Sequence, residues 1–330
     1  KALRAEGSAD ITSRTEVIKV AGGDPIELKI RASTNGTFIS DGMDSLKRQL
    51  GENFAMAFNW TALMPDDRSV EAMSCLIDVQ AQTDLKPCLT KFNAPQQNMA
   101  YGFTTGEFGF VAAGKVPVRD PANPTYGHAP GLGWDERYGW RSFVAYDDLP
   151  QEHNPARGYA ATANARNHGP DYPHYMSRNF ATPYRITRIH ELMDQTPKHD
   201  QASFWAMLGD DKSTFGAEMQ NLLTAELEVS GQANQTALDL LKAWDGSAQA
   251  DQPEPAIFWV YVDQLLRAIY QDELGSRFED EHKLRAPFLI AALSNPEVGQ
   301  RWCSEKPDGC LGLRAQAFEA AVAILTDEQG

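Results

Sequence analysis

Few residues in this sequence have the type and spacing to do chemistry. Gly158-Tyr-Ala-Ala-Thr-Ala-Asn164 is a run of small and apolar residues that ends on an amide. Its composition predicts a strand that enters a core, because small residues let another chain or a ligand come close to the backbone. An amide presented at the end of such a strand can donate N–H hydrogen bonds to a developing negative charge. The commoner fate of Asn after an apolar run is to start a turn, and the residues alone favour that plainer role. His168, Asp171 and His174, at i, i+3 and i+6, have the types of half a metal site, yet their Gly-Pro and Tyr-Pro setting is that of a polar surface loop.

The cysteines divide by context. Cys303 and Cys310 bracket Ser-Glu-Lys-Pro-Asp-Gly, a polar turn sequence. That spacing accommodates either two free thiols or a local disulfide, which would contribute about 2.5 kcal/mol in an oxidising compartment. Cys75 sits among Met73, Leu76 and Ile77 in an apolar helical pattern, where a thiol acts as a small hydrophobe. Cys75 and Cys88 are therefore expected to be free. No Cys-x-x-Cys pair suggests zinc, and the Gly-x-Ser-x-Gly, His-Glu-x-x-His, phosphate-loop and dinucleotide signatures are missing. Asn-x-Thr matches at Asn35, Asn59 and Asn234 are near chance in a chain of 330 residues.

The elements that would position these residues change character near residue 190. Glu16–Val20 and Ile26–Ile30 alternate apolar and polar residues across Gly22-Gly23-Asp24, which predicts a hairpin. Asn53–Trp60 also alternates, and Asn98–Ala112 predicts two strands joined around Thr105-Gly106. Between them Val70, Met73, Leu76, Ile77 and Val79 predict one helix near residues 69–85. Residues 115–158, dense in proline and glycine, predict a long connection with little regular structure. Helical spacing then recurs at Thr187–Leu192, Gln201–Leu208, Gly216–Leu227, Gln235–Ala243, Ala256–Tyr270, Phe288–Leu293 and Leu313–Leu325. The expected organisation is α+β, a β-rich part over residues 1–190 and a helical domain over 191–330.

Composition narrows the class. With 42% hydrophobic residues the chain can bury a sizeable core. Thirty basic against 45 acidic residues give a net charge of −15, with no cluster of Lys and Arg to track phosphates, so nucleic acid is not an expected partner. The apolar runs are broken by Gln264, Arg267 or Glu319 before reaching the roughly 18 to 20 residues that a membrane span requires. Residues 1–10 have no apolar signal core, which leaves any targeting signal outside this segment.

Successive segments resemble, in order, the β-chain of penicillin acylases and acyl-homoserine lactone acylases. They are Glu16-Val-Ile-Lys-Val-Ala-Gly-Gly-Asp-Pro-Ile-Glu-Leu-Lys-Ile30, Thr34-Asn-Gly-Thr-Phe-Ile-Ser-Asp41, Phe58-Asn-Trp-Thr-Ala-Leu63 and Phe92-Asn-Ala-Pro-Gln-Gln-Asn98. Gly109–Arg119, Pro130-Gly-Leu-Gly-Trp134, Asp147-Asp-Leu-Pro150, Asn154-Pro155 and Thr162-Ala-Asn164 follow. Pro183-Tyr-Arg-Ile-Thr-Arg-Ile189, Ala243-Trp-Asp-Gly246 and Trp302-Cys303 with Cys310 complete the series.

The resemblance implies an N-terminal nucleophile hydrolase, an αββα sandwich with a β-rich insert followed by an all-helical domain. It implies a Ser freed by autoproteolysis that attacks an amide carbonyl and forms an acyl-enzyme. In that scheme Asn164 donates to the oxyanion. Arg185 stands beside the active site, positioning the amino terminus, Asn164 or the leaving group, or else bridges sheet and helices. The same resemblance implies a Cys303–Cys310 disulfide, a periplasmic or secreted location, and as partners an α-chain, the rest of the β-chain and a small acyl amide substrate. Neither Ser8 nor Ser13 lies in the expected Ser-Asn context, so the nucleophile is expected outside this segment, which alone should be inactive. No cofactor is expected: the family includes calcium binders, but their calcium-binding Asp falls near Met176 in this chain, which puts calcium in question through that ligand. The rival expectation is a non-catalytic binding or assembly module of the cell envelope that keeps the fold.

Overall fold

A computed structural model describes residues 2–278, 285–303 and 309–329. The chain divides into two compact units: residues up to Thr162 with Arg166–Asn179, and Ala163–Ala165 with the residues from Phe180 on.

The first unit opens with a short ribbon of β1 (Ala2–Leu3) and β2 (Ser8–Ala9). The expected hairpin forms as β3 (Thr12–Ile18) and β4 (Ile26–Ser33), continued by β5 (Gly36–Phe38) and β6 (Ala57–Phe58) into a four-stranded antiparallel sheet. Between β5 and β6 runs α1 (Asp44–Leu50), which apolar spacing alone did not reveal because none of its residues is buried. β7 (Gln97–Gly102) and β8 (Phe108–Ala113) pair in register around Gly106, and β11 (Gln151–His153) adds to the far edge of β8. β9 (Pro117–Arg119) and β10 (Trp140–Phe143) pair across the proline-rich connection.

The single helix expected near 69–85 is two helices instead, α2 (Ser69–Leu76) and α3 (Leu85–Leu89). Val70, Met73 and Ile77, the stripe that suggested it, are exposed, while Ala72 is the residue of α2 that is buried. The core here is Ala72, Leu85, Leu89 and Phe92 against Val111 and Ala113 of β8. This correction overturns a second expectation. A helix continuous to residue 85 would carry the chain roughly 15 Å beyond Cys75 before it reached Cys88, at about 1.5 Å per residue. With the chain folded back between α2 and α3 their Cα atoms are 5.4 Å apart, and they form a disulfide rather than two free thiols. Cys303 and Cys310 are also bonded, with Cα atoms 5.0 Å apart. Thiol labelling of the denatured, unreduced protein should accordingly detect no free thiol, and label on two cysteines would contradict one of these pairs.

The second unit is built on helices α4 (Tyr184–Asp194), α5 (Gln201–Leu208), α6 (Thr214–Thr224), α7 (Gln232–Ala243), α8 (Glu254–Leu274), α9 (Ala286–Ser294), α10 (Pro296–Cys303) and α11 (Gly309–Gln329). Periodicity located all of them but α10. Along α8, Ile257, Phe258, Tyr261, Val262, Leu265, Leu266 and Ile269 repeat at helical spacing and are buried against Met219, Leu223, Leu238, Leu241, Leu289 and Phe318. The C-terminal end of α6 lies in this core, where unpaired carbonyls are costly. The Leu223 carbonyl accepts from the Tyr261 hydroxyl at 3.3 Å and that of Leu222 from Arg314 Nη1 at 2.6 Å. Burial pushes the Tyr261 phenol well above its usual range, so it stays a neutral donor.

Candidate functional site

Asn164 and Arg185 both belong to the second unit, although 21 residues separate them. The expected strand at Gly158–Asn164 does not form. Ala163–Ala165 is a bend in which the Ala163 and Asn164 carbonyls are satisfied outside any ladder, and this is why the small-residue pattern misleads. The Ala163 carbonyl accepts from Arg185 Nη2 at 2.9 Å, and the Asn164 carbonyl from the Ala181 N–H at 2.9 Å. Asn164 itself has φ +60°, in the left-handed region that Asn tolerates better than most side chains.

Pro183 precedes α4 with a φ of −72° that suits a helix start, and Arg185 follows in the first turn. Its Nη2 also donates to Asn164 Oδ1 at 2.8 Å. A guanidinium has donors only, so it must meet the oxygen of the amide and turn the NH2 group the other way. Among the described residues that NH2 donates to no protein group, and the Asn164 side chain is exposed. The arrangement is an amide of fixed orientation, polarised by an adjacent cation, with two N–H bonds free to meet an anionic oxygen.

The helix bearing Arg185 is fastened at neighbouring points. Thr214 Oγ1 donates to the Tyr184 carbonyl at 3.2 Å, and the Tyr184 ring meets Phe215 edge-on at 5.3 Å. Burial, reinforced by the negative charge of nearby Glu218, pushes the Tyr184 phenol up to about 12. Arg188 grips Asp210 with two bonds, Nε to Oδ2 at 3.0 Å and Nη2 to Oδ1 at 2.6 Å, and reaches Glu191 at 2.9 Å. Hydrogen bonding to Arg188 holds the Asp210 carboxyl below the usual carboxylate range and, with Glu191, lifts the guanidinium further above its own. Residue types alone gave no reason to single out Arg188 or Asp210. Arg188 lay inside a matched motif without a partner to define it, and Asp210 is one acid of an Asp-Asp pair in a connection.

The other candidates do not converge. The His168 ring lies tilted against Tyr172 with centroids 4.7 Å apart and bonds the Gly169 carbonyl at 3.0 Å, while His174 stands 4.0 Å from the Asp148 carboxylate. Among the described residues no three His, Cys, Asp or Glu side chains are grouped as a metal ion requires. Met176 packs beside Val116, Val144 and Leu149, an apolar setting for the position where calcium was in question. An open cavity of about 330 Å³ beside Cys303 and Cys310 is lined by Leu293, Pro296 and Gly299 among others, and the described residues that line it include no acid, no base and no free thiol.

The thermostable penicillin G acylase from Alcaligenes faecalis superimposes on this chain with a TM-score of 0.75, over 99% of this chain and 63% of its own, at 16% identity. The fold is thus the mixed helix-and-sheet fold of the penicillin acylases, an N-terminal nucleophile hydrolase fold with a helical part. Residues 2–330 match the penicillin amidase family, and the chain belongs to it. An acyl-homoserine lactone acylase of Pseudomonas fluorescens (strain Pf0-1) is 25% identical over 278 residues, 80% of this chain and 33% of its own length. The penicillin acylase 2 proenzyme of Pseudomonas sp. (strain SE83) is 25% identical over 297 residues, 88% of this chain and 35% of its own length. The chain spans about a third of the length of these relatives.

Proposed function

We propose that this chain is part of an amide hydrolase that removes an acyl group from an amine, and that its share of the active site is the oxyanion amide Asn164, oriented by Arg185. The nucleophile would be an N-terminal Ser contributed by another segment of the same precursor. Its attack forms an acyl-enzyme and moves negative charge onto the carbonyl oxygen, where the Asn164 N–H bonds strengthen as the charge grows. A neutral amide suits that place because it stabilises charge without transferring a proton. On this reading residues 1–330 alone hydrolyse nothing and act with an α-chain and the rest of the β-chain.

The observation that carries the reading is the 2.8 Å bond from Arg185 to Asn164 Oδ1, which leaves the amide N–H groups to face outward. A periplasmic or secreted location is proposed with it, supported by the Cys75–Cys88 and Cys303–Cys310 disulfides, which persist in oxidising compartments. No helix among the described residues is long and apolar enough to cross a membrane. The test is amine release by the full-length protein from a phenylacetyl amide, penicillin V and an acyl-homoserine lactone. Release from at least one supports the proposal. A folded protein that releases amine from none of them favours the non-catalytic envelope module instead.

A further inference from the structure

The motif Pro183–Ile189 contains a second arginine that the proposed reaction leaves without a role. Arg188 lies one turn beyond Tyr184, so both occupy the same side of α4. That side is the fastened one: Tyr184 is tied to Thr214 and Phe215 of α6, and Arg188 to Asp210. Arg185 projects roughly 100° around the helix from Tyr184, at the 3.6-residue repeat of an α-helix, and so reaches sideways to Ala163 and Asn164. A turn of the helix about its axis would carry Arg185 off Asn164.

The support for Asp210 is itself rigid. Lys212 pairs with Ser247 in an isolated bridge, Ser213 N–H donates to the Gly246 carbonyl at 2.8 Å, and Lys212 Nζ lies 3.3 Å from the Asp245 carboxylate. Trp244 Nε1 closes the turn on the Ser247 carbonyl at 2.7 Å. Gly246, at φ +95°, sits so close that a Cβ there would stand 2.6 Å from the Ser213 carbonyl oxygen. The Trp-Asp-Gly motif therefore fits residues 244–247 against the segment that presents Asp210. Glu191, on α4 itself, cannot set the rotation of α4. Asp210 can, and a two-pronged guanidinium–carboxylate bond fixes direction as well as distance.

We propose that the Arg188–Asp210 pair is a positioning device for the oxyanion amide, setting the rotation of α4 and through it the hold of Arg185 on Asn164. The proposal rests on the reading of Asn164 as the oxyanion donor. Asp210 and Arg188 do not touch substrate, and their effect passes through a displacement of the amide. Small displacements of this kind cost up to about a hundredfold in rate.

The test is a cycle in the full-length protein: kcat and KM of Asp210→Asn, Asp210→Glu and Arg188→Lys, each alone and combined with Asn164→Gly. Asp210→Asn is expected to lower kcat roughly 10- to 100-fold with KM within about twofold, and Asp210→Glu to restore part of the loss. On the Asn164→Gly background the same substitutions should change kcat little, because the group they position is gone. If Asp210→Asn does not fold, Arg188→Lys gives the same readings, since it keeps the charge and gives up the two-pronged bond. Parental kcat in the Asp210 and Arg188 variants, while Asn164→Gly is impaired, overturns the positioning role. Equal losses on both backgrounds overturn it too, as the pair would then act by another route. Parental turnover in Asn164→Gly itself removes the oxyanion reading, a separate failure.

Discussion

Asn164→Ala in the full-length protein is expected, on the oxyanion role proposed for it, to lower kcat by about 10²- to 10³-fold, the usual loss of about 2.7 to 4 kcal/mol when one preorganised donor is removed. KM should change far less, because the lost bond strengthens only as charge develops on the substrate oxygen. The backbone adds a second effect. Asn164 has φ +60°, and Ala in that region is strained by about 1 to 2 kcal/mol, so the variant should also melt earlier. Asn164→Gly separates the two, since Gly adopts this conformation without strain. It should regain most of the stability and none of the turnover. Measuring kcat and unfolding on the same preparations, after the proposed processing is checked by mass, tests both halves.

The largest stability effect is expected in the helical core. Phe258 is fully buried, with ring centroids of Trp244 at 4.9 Å, Trp259 at 5.0 Å and Phe215 at 5.9 Å. Phe258→Ala removes the ring and leaves a cavity walled by aromatics that cannot all collapse inward, at a cost of about 3 to 5 kcal/mol. Phe204 on α5 is 51% exposed and serves as the control, with Phe204→Ala expected to cost no more than about 0.5 kcal/mol. Urea unfolding of both variants gives the comparison. Equal losses would mean that α8 is not the centre of this core.

The same packing explains what could be read from the residues. α8 was legible because a helix buried along one side must repeat its apolar residues at 3.6, and Phe258 to Ile269 do so. The β7–β8 pairing was legible from Thr105-Gly106, which turns the chain with Gly106 at φ +95°. α2 was misread because Val70, Met73 and Ile77 form an apolar stripe that this unit leaves exposed, and periodicity cannot tell a covered stripe from an open one. The same apolar pattern suggested that Cys75 packs as a free thiol, whereas the chain reverses after α2 and brings it to Cys88.

At the site, residue type marked Asn164 as a possible donor but favoured the plainer turn role, and the donor role came from the resemblance. The bend, the left-handed backbone and the partner at Arg185 are properties of the folded chain. The resemblance named Arg185, while Arg188 and Asp210 had no local signature, because an ion pair across 22 residues leaves no pattern in sequence.

The central claim is that Asn164 acts through its N–H groups, and Asn164→Asp tests it most directly. Aspartate has the same shape, tolerates the left-handed backbone and would accept from Arg185 through a charge-assisted bond, so every structural contact of Asn164 survives. What it lacks is a donor, and it places negative charge where the oxyanion would form. The account predicts a protein that is processed and folds as the parent does, with kcat reduced by at least about a hundredfold. Turnover at the parental rate by the Asn164→Asp variant would contradict it.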